Sequence, residues 1–259
     1  MTTSACTDGS APDLLGTLAA DHATGALSTE SGIFYLAAGH VVHVESPYSP
    51  GLGDLLTRSG AVDPAGWWEA VERAGAGHRV ARHLVDSGSL TTGALELCHL
   101  GALFDAAYCA LAHGGATLRF RPGVAHWLGA VRPVPVATVL RESCRRRALL
   151  HRIWPDPAVD TAPLTRAPGA DPAELPPRRG RTLALVDGAR TAAQIASALA
   201  HRTFHTLVEL RRLAADGLVA PAPHPPTTPV RSVPGAGGAA WDEPDTALLR
   251  RLLDALEGL

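Results

Sequence analysis

Lysine is absent from this chain: all 23 of its basic groups are arginine, set against 25 acidic groups in 259 residues. With abundant Ala, Gly and Pro, that usage reads as GC-rich coding bias rather than as chemistry. No apolar run approaches the ~18–20 residues that a spanning helix needs, which excludes a membrane bundle. The first twelve residues hold no basic region followed by an apolar core, so an ordinary secretory signal is excluded and the cytoplasm is expected. The four cysteines, Cys6, Cys98, Cys109 and Cys144, form no C-x-x-C pair and have no histidine at zinc-finger spacing. They read as small buried hydrophobes, a Cys98–Cys109 redox pair being the alternative. No G-x-S-x-G, P-loop, kinase set or dinucleotide fingerprint is present. His40 and His43 point to opposite faces of a strand, and His201 and His205 straddle a turn without a third ligand. The sequence therefore predicts no enzyme, no catalytic residue, no metal site and no cofactor.

What is present is a composition fit for a packed core, with 46% hydrophobic and 19% charged residues. Charge is unevenly placed. Residues 1–125 carry net −6, residues 126–219 net +6 and residues 220–259 net −2. An acidic module joined to a basic one suggests two partners of different kinds.

Residues 13–20 read as a short helix with Leu14, Leu15 and Leu18 on one face. Three glycine-punctuated β runs follow at 25–28, 32–37 and 40–45, with turns at Ser31-Gly32 and Ala38-Gly39. In the third, alternation pairs Val42 with Val44 and places Val41, His43 and Glu45 opposite. From 51 to 113 the pattern is helical. Asp63-Pro64 is a helix start, and Thr92 is the analogous cap in a weak second copy. Residues 116–121 then alternate like a returning strand.

The run TGALSTESGIFYLAAGHVVHVES, closing with GGATLRFRPG, resembles the PATAN domain of bacterial signalling proteins. The matching residues are Thr24, Gly25 and Leu27, then Gly32, Ile33 and Tyr35, then Gly39, Val41, Val42 and His43. Val44 replaces a usual small residue, and the helical insert lengthens the unit. The resemblance spans about 13–123 and implies a protein-interaction module, assigned here to residues 13–130.

Residues 131–177 read as an arginine-rich helix followed by a linker. The helix, 133–154, groups Val136, Val139, Leu140 and Cys144 on one face and Arg141, Arg145, Arg146 and Arg147 on the rest; 155–177 is the linker. Residues 178–220 hold a Thr191/Gln194 capping box, a turn at His201-Arg202, a second helix capped by Thr203, and a strand start at Leu218-Val219. This order resembles the winged-helix DNA-binding domains of bacterial transcription regulators. On the second helix Phe204, Leu207, Val208, Leu210, Leu213 and Ala214 form the apolar arc, with Arg211 snorkelling from it. Arg202, His205, Thr206, Glu209 and Arg212 form the expected DNA-reading face, supplemented by Arg145, Arg146 and Arg147. Proline after Val219 forbids a regular wing hairpin.

Residues 221–240 are a Pro/Gly-rich tether, and 241–259 an amphipathic helix whose Leu248, Leu249, Leu252, Leu253, Leu256 and Leu259 share one face for a partner or a homodimer. The expected fold is α+β: a β-meander with a helical insert, then a mostly α winged-helix-like domain. The expected function is a non-enzymatic cytoplasmic regulator that senses a signalling protein and binds double-stranded DNA, with no membrane partner. The alternative is an adaptor whose two domains both bind proteins, as in response-regulator or small-GTPase systems.

Overall fold

The computed structural model describes residues 5–6, 10–112 and 117–222, and residues up to 222 belong to one compact unit. The terminal segment, 241–259, and residues 223–240 of the expected tether lie outside the described residues, while Pro221, counted with the tether, belongs to a strand. The fold is mixed α+β with an antiparallel sheet. Its elements begin with β1 (Ala5–Cys6), α1 (Ala11–Ala20), β2 (Gly25–Thr29), β3 (Gly32–Ala37) and β4 (His40–Glu45). The helical insert follows as α2 (Leu52–Arg58), α3 (Pro64–Ala74), α4 (Val80–Asp86) and α5 (Thr92–Ala112). Then come β5 (Arg119–Pro122), β6 (Val134–Pro135) and α6 (Val136–Ile153). These strands form one sheet in the order β1-β5-β2-β3-β4-β6, so β5 returns beside β2 and closes the meander.

The β3–β4 turn takes a left-handed backbone at Ala38 and Gly39 (φ 46° and 78°), the conformation that tight hairpins require. One strand departs from alternation. Tyr35 faces His43 while Leu36 faces Val41, so Val42 is the extra residue of a bulge. The bulge puts Val41 and Val44, not Val42 and Val44, into the core with Leu27, Phe34 and Leu36. That core is covered by α1 through Leu15 and Leu18, by α5 and by α6.

Asp63 caps α3 as the sequence indicates, accepting from the Ala65 and Gly66 amides. In the second copy the cap is Thr91 rather than Thr92: its Oγ1 accepts from the Ala94 amide. Helix α5 has buried residues on every side. Leu103, Ala106 and Ala107 face the sheet, Leu95 and Ala102 the helical insert, and Tyr108 and Cys109 the C-terminal helices. A helix apolar all round is one enclosed by neighbours. It also corrects the expectation about apolar length: α5 has 21 residues and mean hydropathy 1.3 over its most apolar stretch, enough to cross a membrane by composition, and 56% of that stretch is buried here.

The segment read as a linker is structured. It contains α7 (Ala158–Thr161), β7 (Leu164–Arg166) and a 3₁₀ turn at Pro172–Glu174, with Val159 and Leu164 fully buried. Three further helices follow, α8 (Pro177–Ala184), α9 (Ala192–Leu199) and α10 (Thr203–Ala215), then β8 (Val219–Pro221). Strand β8 pairs antiparallel with the upstream β7, which satisfies its backbone without a following hairpin strand. The Thr191–Gln194 capping box opens α9 as read. On α6 Val136, Val139, Ser143 and Leu150 are buried, Ser143 bonding to the Val139 carbonyl, while Cys144, expected on the apolar face, is exposed.

Candidate functional site

Two regions gather groups able to do chemistry. The first surrounds the start of α10. Thr203 does not cap this helix. Asp105, nearly a hundred residues earlier on α5, accepts from the Thr203 amide at 2.5 Å and the Phe204 amide at 2.9 Å. A carboxylate there satisfies two orphan donors and complements the helix dipole. The Thr203 hydroxyl instead donates to the Tyr48 carbonyl at 2.9 Å.

Arg146 joins the same cluster, and this removes it from the DNA-binding set. Its guanidinium reaches Asp105 at 3.3 Å and Glu142 at 3.0 Å and lies 4.6 Å from the centre of the Phe204 ring. With its side chain only 11% exposed, it is an interior cation held by two carboxylates and an aromatic face. Arg145 is exposed but forked onto Glu142, and Arg147 donates to the Leu111 carbonyl.

The expected reading face is also divided. Thr206 and Glu209 are buried, Thr206 bonding back to the Arg202 carbonyl and Glu209 lying between Arg179 and Arg212. These two cannot present donors or acceptors to a groove. Arg212 and His205 are exposed. Arg202 is half-buried, its guanidinium lying over α5 where Gly101 has no side chain: a Cβ there would sit 2.0 Å from the Arg202 Cζ. Arg211 does not snorkel. It is buried, forks onto both oxygens of Asp160 at 2.8 and 2.6 Å, and donates to the Leu150 and Trp154 carbonyls.

Helix α8 carries two further exposed cations. Arg178 and Arg181 are exposed and have no ion pair among the described residues. They stand close enough to matter electrostatically. The His201 proton affinity is lowered by burial, then by Arg178 and Arg181; that of His205 by burial, then by Arg202 and Arg178. Neither arginine belongs to the face expected from sequence, which lies on α10 and α6 and does not extend to α8.

The second region is a cavity of about 720 Å³ between the β4 end, α2, α3 and the segment after β5. Trp67, Trp68 and Trp127 line it with Pro47, Pro50 and Leu52, and its floor holds His43, His126 and Glu45. Trp67 is buried because Gly53 lets its ring lie against α2; a Cβ there would meet the indole at 2.6 Å. Trp68, one residue on, is 63% exposed.

The floor is a stack of imidazoles. The His43 ring lies 4.1 Å from that of His126 and 5.5 Å from that of His99, nearly parallel to both. His43 Nδ1 and His99 Nε2 share a hydrogen bond at 3.3 Å. The Leu128 amide donates to His126 Nδ1, so His126 carries its proton on Nε2 and donates it to Glu45 at 3.0 Å. The other Glu45 oxygen accepts from the Tyr35 hydroxyl at 3.1 Å. Burial, then His126 and His99, pull His43 well below the ordinary imidazole range, and burial takes His99 down to about 4. The His126 hydrogen bond holds Glu45 below the usual carboxylate value, whereas burial and Glu45 push Tyr35 up to about 12. The floor therefore holds one carboxylate, with His43 and His99 kept neutral at neutral pH.

His43, Glu45 and His126 bring ligand atoms within 4.8 Å of one another. Their orientation does not suit a metal ion. Lone pairs lie in ring planes, and two stacked rings direct theirs side by side rather than at one point about 2.0–2.1 Å from each. His126 Nδ1 is already an acceptor and Nε2 already a donor. The cluster is a hydrogen-bonded support for Glu45. Sequence reasoning missed it because His43, His99 and His126 come from β4, α5 and the segment after β5, and meet only where these three pack together. Comparisons of the chain with protein-family models, with curated proteins and with solved structures return no match.

Proposed function

We propose that the chain is a non-enzymatic cytoplasmic regulator. Its sheet-containing part, which resembles a PATAN domain, receives a protein partner, and its C-terminal helices bind double-stranded DNA. The observation that carries the DNA reading is the exposed pair Arg178 and Arg181 on α8, close to Arg202, His201 and His205. The charges bearing on both histidines are cations throughout, and Arg178 and Arg181 have no ion pair among the described residues. Exposed guanidinium groups without a carboxylate partner suit phosphate oxygens, and binding there releases counterions. Arg212, exposed on α10, is left as the base-reading candidate from the original face.

The test is fluorescence anisotropy on duplex DNA across a salt series, using the full chain. Each lost phosphate contact should reduce the log–log salt slope by about 0.9, so Arg178→Gln with Arg181→Gln should reduce it by about 1.8. Arg212→Ala should weaken a specific complex by about 1–3 kcal/mol. Equal binding and equal slope in wild type and all variants overturns the DNA role. The second reading, an adaptor in which both parts bind proteins, is favoured by the burial of Thr206 and Glu209, which leaves α10 little polar surface. It predicts no salt-dependent retention of the wild-type chain on DNA.

A further inference from the structure

We propose that the tryptophan-lined cavity is a cation-receiving site, taking an arginine side chain presented by an apolar segment of a partner protein. The proposal rests on the reading that this part of the chain receives a protein partner.

Two carboxylates, Glu45 and Asp54, face the cavity, and none of its lining residues is an arginine. Glu45 is built to remain an anion. Its oxygens each accept one internal hydrogen bond, from His126 and Tyr35, yet its side chain is 45% exposed, so lone pairs remain for an incoming donor. Burial holds His43 and His99 below the ordinary imidazole range, so these two rings add no positive charge at neutral pH. Asp54, exposed at the start of α2, accepts from the Gly51 amide through one oxygen and leaves the other open.

The walls suit the same group. Trp68 offers an uncovered indole, while Trp67 and Trp127 meet edge to face at 5.9 Å and present a fixed apolar corner. A guanidinium is planar, weakly hydrated for a cation and able to stack on an indole while forking onto a carboxylate. An ammonium uses the flat wall less well. The volume exceeds the needs of one side chain, and Pro47, Pro50 and Leu52 extend the apolar lining beyond the carboxylates. That shape fits an arginine with apolar neighbours rather than a free ion.

The experiment titrates the full chain with three blocked pentapeptides, Leu-Leu-X-Leu-Leu, in which X is arginine, citrulline or glutamate. Citrulline keeps the arginine shape and removes its charge. Binding is followed by isothermal titration calorimetry and by indole fluorescence. The arginine peptide should bind about tenfold more tightly than the citrulline peptide, the size expected of one cation–π contact with one ion pair. The glutamate peptide should bind most weakly. Asp54→Asn and Trp68→Ala, both at exposed positions, should each reduce the arginine preference, Trp68→Ala with thermal stability unchanged and Asp54→Asn with at most the small loss expected of a first-turn charge. Equal affinity for the arginine and citrulline peptides, absence of binding by all three, or a preference untouched by both substitutions overturns the cation assignment. The broader partner reading fails separately, if cross-linking of the wild-type chain in its native lysate yields no protein adduct.

Discussion

His99 shows how much one buried group contributes without touching a ligand. It is fully buried, its Nδ1 makes no hydrogen bond, and its pKa lies near 4 against 6.5 for an ordinary imidazole. An unfolded chain takes up a proton at this position between those values, whereas the folded chain does not. Stability is therefore complete above about pH 6.5 and lost as pH falls, by about 3 kcal/mol from His99 alone by pH 4. Urea denaturation at a series of pH values checks this, and His99→Leu should flatten the profile over that interval. An unchanged slope in the variant would place the acid sensitivity elsewhere. Chain position gave no hint of His99's role, since a lone histidine on an apolar helix looks like any other core residue.

Local signals were legible wherever neighbours in sequence decide the structure. The three meander strands, the Asp63 cap of α3 and the Thr191–Gln194 box of α9 all depend on residues within four positions. Signals failed where a distant partner decides. The bulge at Val42 answers the packing of β4 on β3, and Pro, Asp and Ala between 155 and 177 concealed β7 because its partner β8 comes more than fifty residues later. The candidate site followed the same rule: exposed Arg212 was legible from the helical wheel, whereas Glu209 meets Arg179 of α8 and partly buried Arg146 meets Asp105 of α5. Asp160 on α7 and Arg211 on α10 make the point testable. Removing one partner, as in Asp160→Ala, leaves a buried unpaired guanidinium and should cost about 3–5 kcal/mol in chemical denaturation. The double change Asp160→Leu with Arg211→Met should cost less than that single change. A double variant as unstable as the sum of its singles would mean that the pair acts through something other than charge burial.

At the scale of the molecule, α5 belongs to every core, and Asp105 ties it to the first turn of α10. The tryptophan-lined cavity is bounded by Ala102 and Ala106, which flank Asp105 on the same helix. Hydrogen–deuterium exchange makes this connection a measurable quantity. The Thr203 and Phe204 amides give their protons to one side chain from far along the sequence, so they exchange freely only when α5 and α10 part. Their exchange rates are a clock for that separation, independent of fraying elsewhere. Asp105→Asn should speed these two amides while leaving the centre of α5 protected, and unchanged rates would show that packing alone holds the helices together. Occupation of the cavity would be registered at the same amides, as a slower tick some distance from the ligand.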